Sequence, residues 1–108
     1  MRFIALEKLI NLHDGYTRHY RVEFHTLLLL QREGECFVIE ALCPHREHPL
    51  EAARIAGEVV QCPLHNYQFS LRSGELLHAS DQPCRPLRVW PVVYEDNQVG
   101  IIWDYESD

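Results

Sequence analysis

The sequence lacks any stretch near the roughly 20 consecutive apolar residues that a membrane-spanning helix requires. Runs such as Leu27-Leu28-Leu29-Leu30 fall far short of it, and no membrane partner is expected. The opening MRFIALEKLINL carries Glu7 and Lys8 inside its apolar stretch and has no small-residue cleavage site. No signal peptide is therefore expected, and the expected location is the cytoplasm. Internal repeats, low-complexity segments and linkers are also missing. What remains is 108 residues of ordinary globular composition, 46% hydrophobic and 24% charged, read as a single domain over 1–108.

Basic residues are scarce. Ten Lys and Arg face 16 Asp and Glu, for a formal charge of −6, which argues against nucleic acid as a partner. Residues 89–108 hold five acids and no base, so nearly all the surplus sits there. Solvated surface charge explains it, and long-range steering of a basic protein partner is the sharper reading. Cysteine is limited to four positions, which in a reducing compartment are not expected to form a disulfide framework. Metal binding or plain burial is the expectation for each.

Long helical patterns are absent too. Short apolar runs punctuated by turn residues suggest an all-β domain of antiparallel strands. The candidates are 3–6, 20–24, 26–31, 36–40, 59–61, 67–70, 89–94 and 99–103. Glu33-Gly34 and Asp96-Asn97 read as hairpin turns, and Pro91 marks an edge position or bulge. Only Glu51 to Ala56 has helical composition, enough for one or two turns. From Ala41 to Leu87 the chain holds five prolines and three cysteines among short strand candidates. That stretch can bury little apolar surface for itself, and something else must hold it together.

Two loops supply the candidate. Cys43-Pro44-His45 is followed, after sixteen intervening residues, by Cys62-Pro63-Leu64-His65. Close spacing lets each loop present both side chains to a common centre, and the gap lets the loops approach from opposite sides. Two thiolates and two imidazoles suit a structural zinc site, which would make the chain a zinc-binding interaction module. Zinc pairs, however, usually come as Cys-Cys and His-His. One of each per loop matches the arrangement in which one iron of a 2Fe–2S cluster takes two cysteines and the other two histidines.

Here the sequence resembles the Rieske iron–sulfur proteins, specifically the small Rieske-type ferredoxins. Leu50 and Gly57 fall where the family usually has Leu and Gly. QCPLHNYQFSLRSGEL, residues 61–76, is similar to the family's second loop, strand and Ser-Gly turn. DQPCRPLRV, residues 81–89, resembles its third, proline-bearing loop. The resemblance implies a Rieske-like antiparallel β-sheet base with an inserted cluster-binding loop subdomain at about 41–85. It also implies a 2Fe–2S cluster held by Cys43, His45, Cys62 and His65. The family often has Gly two residues after the first histidine and directly after the second, where this chain has Glu47 and Asn66. Asn tolerates a left-handed backbone, so the second loop is expected to keep its shape. The first is expected to follow a different path.

A cluster alone binds no substrate, and Rieske oxygenases add a large catalytic-iron domain for which 108 residues leave no room. The implied role is a small soluble electron carrier rather than an enzyme. Its expected partners are a flavin-dependent reductase and a terminal oxygenase or reductase component. A small subunit of an assimilatory nitrite reductase is the alternative within the same fold, though many of those look degenerate at the ligand positions. The histidine edge is the expected electron exit, with Arg46, His48, Pro49, Asn66, Pro83 and Arg85 beside it. The positions of the cluster-loop disulfide found in cytochrome bc Rieske proteins hold His48 and Leu64, and the positions of their Ser and Tyr hydroxyls hold Tyr67 and Phe69. Cys36, Trp90 and Trp103 are expected in the core, His48 on the surface, and Cys84 as a packed thiol in the covering loop.

Overall fold

The strands that the sequence suggests assemble into three antiparallel sheets in a computed structural model, which describes residues 2–45 and 47–103. The first sheet has the order β1-β11-β10, from Arg2–Lys8, Gln98–Trp103 and Val92–Glu95. The second has the order β2-β3-β4-β9, from Thr17–Val22, His25–Arg32, Glu35–Glu40 and Val89–Trp90. The third has the order β5-β6-β7-β8, from Arg54–Ala56, Val59–Gln61, Gln68–Ser70 and Leu76–His78. A short 3-10 turn spans Leu9–Asn11. No helix among the described residues is long and apolar enough to cross a membrane.

The leucine run explains how the layers stack. Successive strand residues point to opposite faces, and a strand covered on both faces reads as continuously apolar. Leu27 and Leu29 enter one core with Val38, Trp90, Val99, Ile101 and Trp103, whereas Leu28 and Leu30 enter another with Phe37, Ile39, Val60 and Phe69. All four leucines are essentially inaccessible, each contributing about 1.5–3 kcal/mol of burial. The second sheet is thus the shared middle layer. On one side it meets the first sheet; on the other it meets the loop-bearing third sheet. Cys36 is buried in the former core, as expected.

Two readings of the sequence need correction. The segment 51–56 is not helical: residues 51–52 form a turn and Arg54–Ala56 is an edge strand. It turns at left-handed Gly57 and pairs with Val59–Gln61, so cross-strand pairing overrides the Ala-rich composition. The segment 89–94 is not one strand. Val89–Trp90 pairs with β4, whereas Val92–Glu95 pairs with β11. Pro91, which has no N–H to donate, sits at the break where the chain changes sheets. The hairpin at Asp96-Asn97 has both residues at positive φ, 53° and 62°, the twist that two-residue hairpin turns require.

Candidate metal centre

Three loops come together here, two linking the second and third sheets and one within the third. The first loop leaves β4 at Ala41 and returns through an isolated bridge between Leu42 and Pro49. Leu50 N–H donates to the Ala41 carbonyl at 2.8 Å. The second loop connects β6 to β7 directly, which fixes its ends across paired strands.

The two loops close in the same way. Cys43 N–H donates to the His48 carbonyl and Cys62 N–H to the Tyr67 carbonyl, each at 2.8 Å and each across five residues. The fourth residue after each cysteine is left-handed: Glu47 at φ 54° and Asn66 at φ 59°. These are the two positions where the resemblance called for glycine. The expectation that Glu47 diverts the first loop is therefore corrected. Backbone closure around Cys43, including a Glu47 N–H donation to the Cys43 carbonyl at 2.6 Å, holds Glu47 itself in the left-handed region that glycine favours and leaves the residue type mismatched.

That mismatch has a measurable consequence. A left-handed non-glycine residue costs about 1–2 kcal/mol, partly offset by the roughly 0.5–1 kcal/mol that glycine loses in unfolded-chain entropy. Glu47→Gly is expected to stabilise the loop by a few tenths to about 1 kcal/mol. Slower bleaching of the visible chromophore on heating checks this.

Donor placement is graded from inside to outside. Cys43 and Cys62 are fully inaccessible and belong to the same apolar core. His45 is half-buried and His65 exposed, with ring centroids 5.3 Å apart and planes tilted by 54°. Tyr67, inaccessible itself, stacks on His45 at 3.9 Å with planes 12° apart. Its hydroxyl donates to the Gln82 carbonyl in the third loop. This donor set suits the cofactor implied by the resemblance. Buried thiolates are costly unless they coordinate a metal, and neutral imidazoles tolerate the wetter edge. Among the described residues, no three His, Cys, Asp or Glu side chains close about one point to hold a single ion. A two-iron cluster with mixed ligation needs only two protein ligands at each iron.

The third loop, 79–88, has no regular structure of its own and is pinned from three sides. Arg85 donates both guanidinium nitrogens to the Glu40 carboxylate, at 2.7 and 2.8 Å, and Arg88 N–H donates to the same carboxylate at 2.7 Å. Leu87 N–H donates to the Gly74 carbonyl at 2.8 Å. A Cβ at left-handed Gly74 would collide with the Leu87 carbonyl, which accounts for the Ser-Gly turn. Tyr67 supplies the third tether. Burial raises the Cys84 thiol, in keeping with its packing against the core that holds Cys43 and Cys62. Arg85 is committed to Glu40 rather than free at the tip. Of the other tip residues expected from sequence, Pro49, Asn66 and Pro83 are exposed and His48 is half-buried; Arg46 lies outside the described residues. The sequence reading missed Ser80, whose hydroxyl donates to the His65 carbonyl. It also missed the clamp residue Glu40; neither carries a sequence motif.

Three antiparallel sheets with mixed Cys/His loops at one end define an all-β metal domain. A family model for the Rieske [2Fe-2S] domain matches residues 3–91. The chain belongs to the Rieske [2Fe-2S] family, and its cofactor is a Rieske-type 2Fe–2S cluster. It is 38% identical over 68 residues to the biphenyl dioxygenase ferredoxin subunit of Pseudomonas sp. strain KKS102, covering 62% of this chain and 61% of that protein. It is 38% identical over 79 residues to the ferredoxin component of the p-cumate 2,3-dioxygenase system of Pseudomonas putida, covering 71% and 64%. The matched region thus spans a little under two thirds of either relative. The Sphingomonas yanoikuyae B1 ferredoxin superposes with a TM-score of 0.77 at 28% identity, covering 95% of this chain and 100% of that one.

Proposed function

We propose that the protein is a one-electron carrier, its cluster held by Cys43 and Cys62 at one iron and by His45 and His65 at the other. The observation that carries this reading is the graded burial of the four residues, with both thiols sealed in the core, His45 half-buried and His65 exposed. When bound, a cluster of this type takes up and releases one electron. The residues around it do the rest. Apolar Leu50, Val60, Phe69 and Leu87 line the core that holds the two cysteines and exclude water from the sulfur side. His65 reaches solvent and shortens the path to a docked partner.

The relatives' names, ferredoxin components of dioxygenase systems, support delivery of electrons to a terminal oxygenase; to this we add a flavin-dependent reductase upstream and a cytoplasmic location. Mixed ligand order within each loop and membership of the family disfavour the zinc module. Anaerobic reductive titration tests the carrier role. The holoprotein is expected to take up one electron per chain and to return it on reoxidation without consuming any organic substrate. Uptake of no electrons, or of several per chain, would contradict it.

A further inference from the structure

His65 and Asn66 are consecutive non-glycine residues in the left-handed region, at φ 65° and 59°. Strain of this kind persists only where surrounding contacts over-determine it. The structure contains such contacts on the outer face of the third sheet. Gln61 and Gln68 alternate with buried Val60 and Phe69 and lie opposite each other in register. Gln68 Nε2 donates to Gln61 Oε1 at 2.8 Å, and Gln61 Nε2 donates to Asn66 Oδ1 at 3.1 Å. Gln61 therefore uses its carbonyl for Gln68 and its NH2 for Asn66, so the relay runs in one direction. From the third loop, Ser80 Oγ donates to the His65 carbonyl.

We propose that Gln61 is a positioning residue for His65. It acts through Asn66, holding that side chain so that the His65–Asn66 backbone stays left-handed and the imidazole stays aimed at its iron. The amide relay does by tethering what glycine does by lacking a Cβ. This rests on the reading of His65 as a ligand. It goes beyond that reading in assigning a role to a side chain that is not itself a ligand.

The test uses the intact holoprotein and four variants: Gln61→Leu, Gln61→Glu, Asn66→Gly and the Gln61→Leu/Asn66→Gly double variant. Each is compared by the rate of cluster loss to a chelator and by the line shape of the reduced-state electron paramagnetic resonance signal. Gln61→Leu is expected to speed cluster loss about three- to tenfold, the span for one lost side-chain hydrogen bond, and to alter the line shape. Gln61→Glu keeps the acceptor for Gln68 but loses the donor to Asn66, and is expected to follow Gln61→Leu; it decides the matter alone if the leucine variant does not fold. In the Asn66→Gly background, Gln61→Leu is expected to have no further effect, because glycine needs no tether.

Two results would overturn the proposal: no change on replacing Gln61 in the native background, or the same acceleration with glycine at 66, which would mark Gln61 as a general support of the sheet. A native protein whose reduced signal shows no coupling to histidine nitrogen would instead sink the ligand assignment, a distinguishable failure.

Discussion

Cys62→Ser is expected to yield a protein without the 2Fe–2S chromophore, and to lose the order of the loop end while keeping the other half of the fold. Loops 43–49 and 62–66 are tied mainly by backbone closure at their cysteines, and loop 79–88 has no regular structure. Binding free energy at a metal site is folding free energy for the segments that form it. The core between the first two sheets contains no ligand residue: Leu27, Leu29, Val38, Val99, Ile101 and Trp103 meet there without the loops. Amide exchange in the two cysteine loops is expected to accelerate by roughly a hundredfold or more, the scale of a local opening made nearly free. Amides of β3, β4 and β11 should stay protected. Uniform acceleration would show that the cluster holds the whole chain together; unchanged loops would show that it holds none of it.

A midpoint potential near the bottom of the Rieske span of roughly −150 to +300 mV is the second large expectation. Hydrogen bonds to cluster and cysteine sulfurs stabilise the more negative reduced state and raise the potential. At the two hydroxyl positions that the resemblance identified, the structure supplies little of this. Tyr67 directs its hydroxyl to the Gln82 carbonyl, and Phe69 is a fully buried ring without one. With His48 and Leu64 at the disulfide positions, no covalent bridge joins the loops. Phe69→Tyr is expected to raise the potential if its new hydroxyl reaches a ligand sulfur, and Tyr67→Phe should leave it nearly unchanged while loosening the third loop. Protein-film voltammetry measures both; a native potential above about +100 mV, well up that span, would contradict this reading of Tyr67 and Phe69.

How much of this was legible in the sequence follows the strength of each local signal. Leu27 to Leu30 and Cys36 to Glu40 announced strands because both faces are buried, which leaves an unbroken apolar run. The two Cys/His loops stood out because the order of residue types within each is specific, and the structure brings them together. The six residues from Glu51 to Ala56 misled, since composition over so short a span cannot offset the cost of nucleating a helix. Leu76–His78 escaped notice because a three-residue edge strand with two exposed positions shows no alternation. Glu47 was misjudged for the opposite reason: its own propensity opposes the left-handed region, and the closure around Cys43 that imposes it is a tertiary fact. Pairings such as Arg85 with Glu40, or Gln61 with Asn66, depend on register and loop return that no single-sequence pattern reports.

The acidic surplus divides between described and undescribed positions. Glu95 is exposed beside the Asp96-Asn97 turn, on the first sheet, whereas Asp104, Glu106 and Asp108 lie outside the described residues. The exposed pair at 95–96 belongs to a different sheet from the one that carries the cluster loops. This suits steering of a partner from a distance, an effect that salt screens within about 8–10 Å.

The most direct measurement of mixed Cys/His ligation is pulsed electron paramagnetic resonance on the reduced holoprotein grown with 15N-labelled histidine. Ligation by His45 and His65 requires a rhombic signal coupled to two histidine nitrogens, with coupling to one of them lost in His45→Cys and to the other in His65→Cys. A colourless zinc protein, or an iron–sulfur signal without histidine coupling, would contradict it.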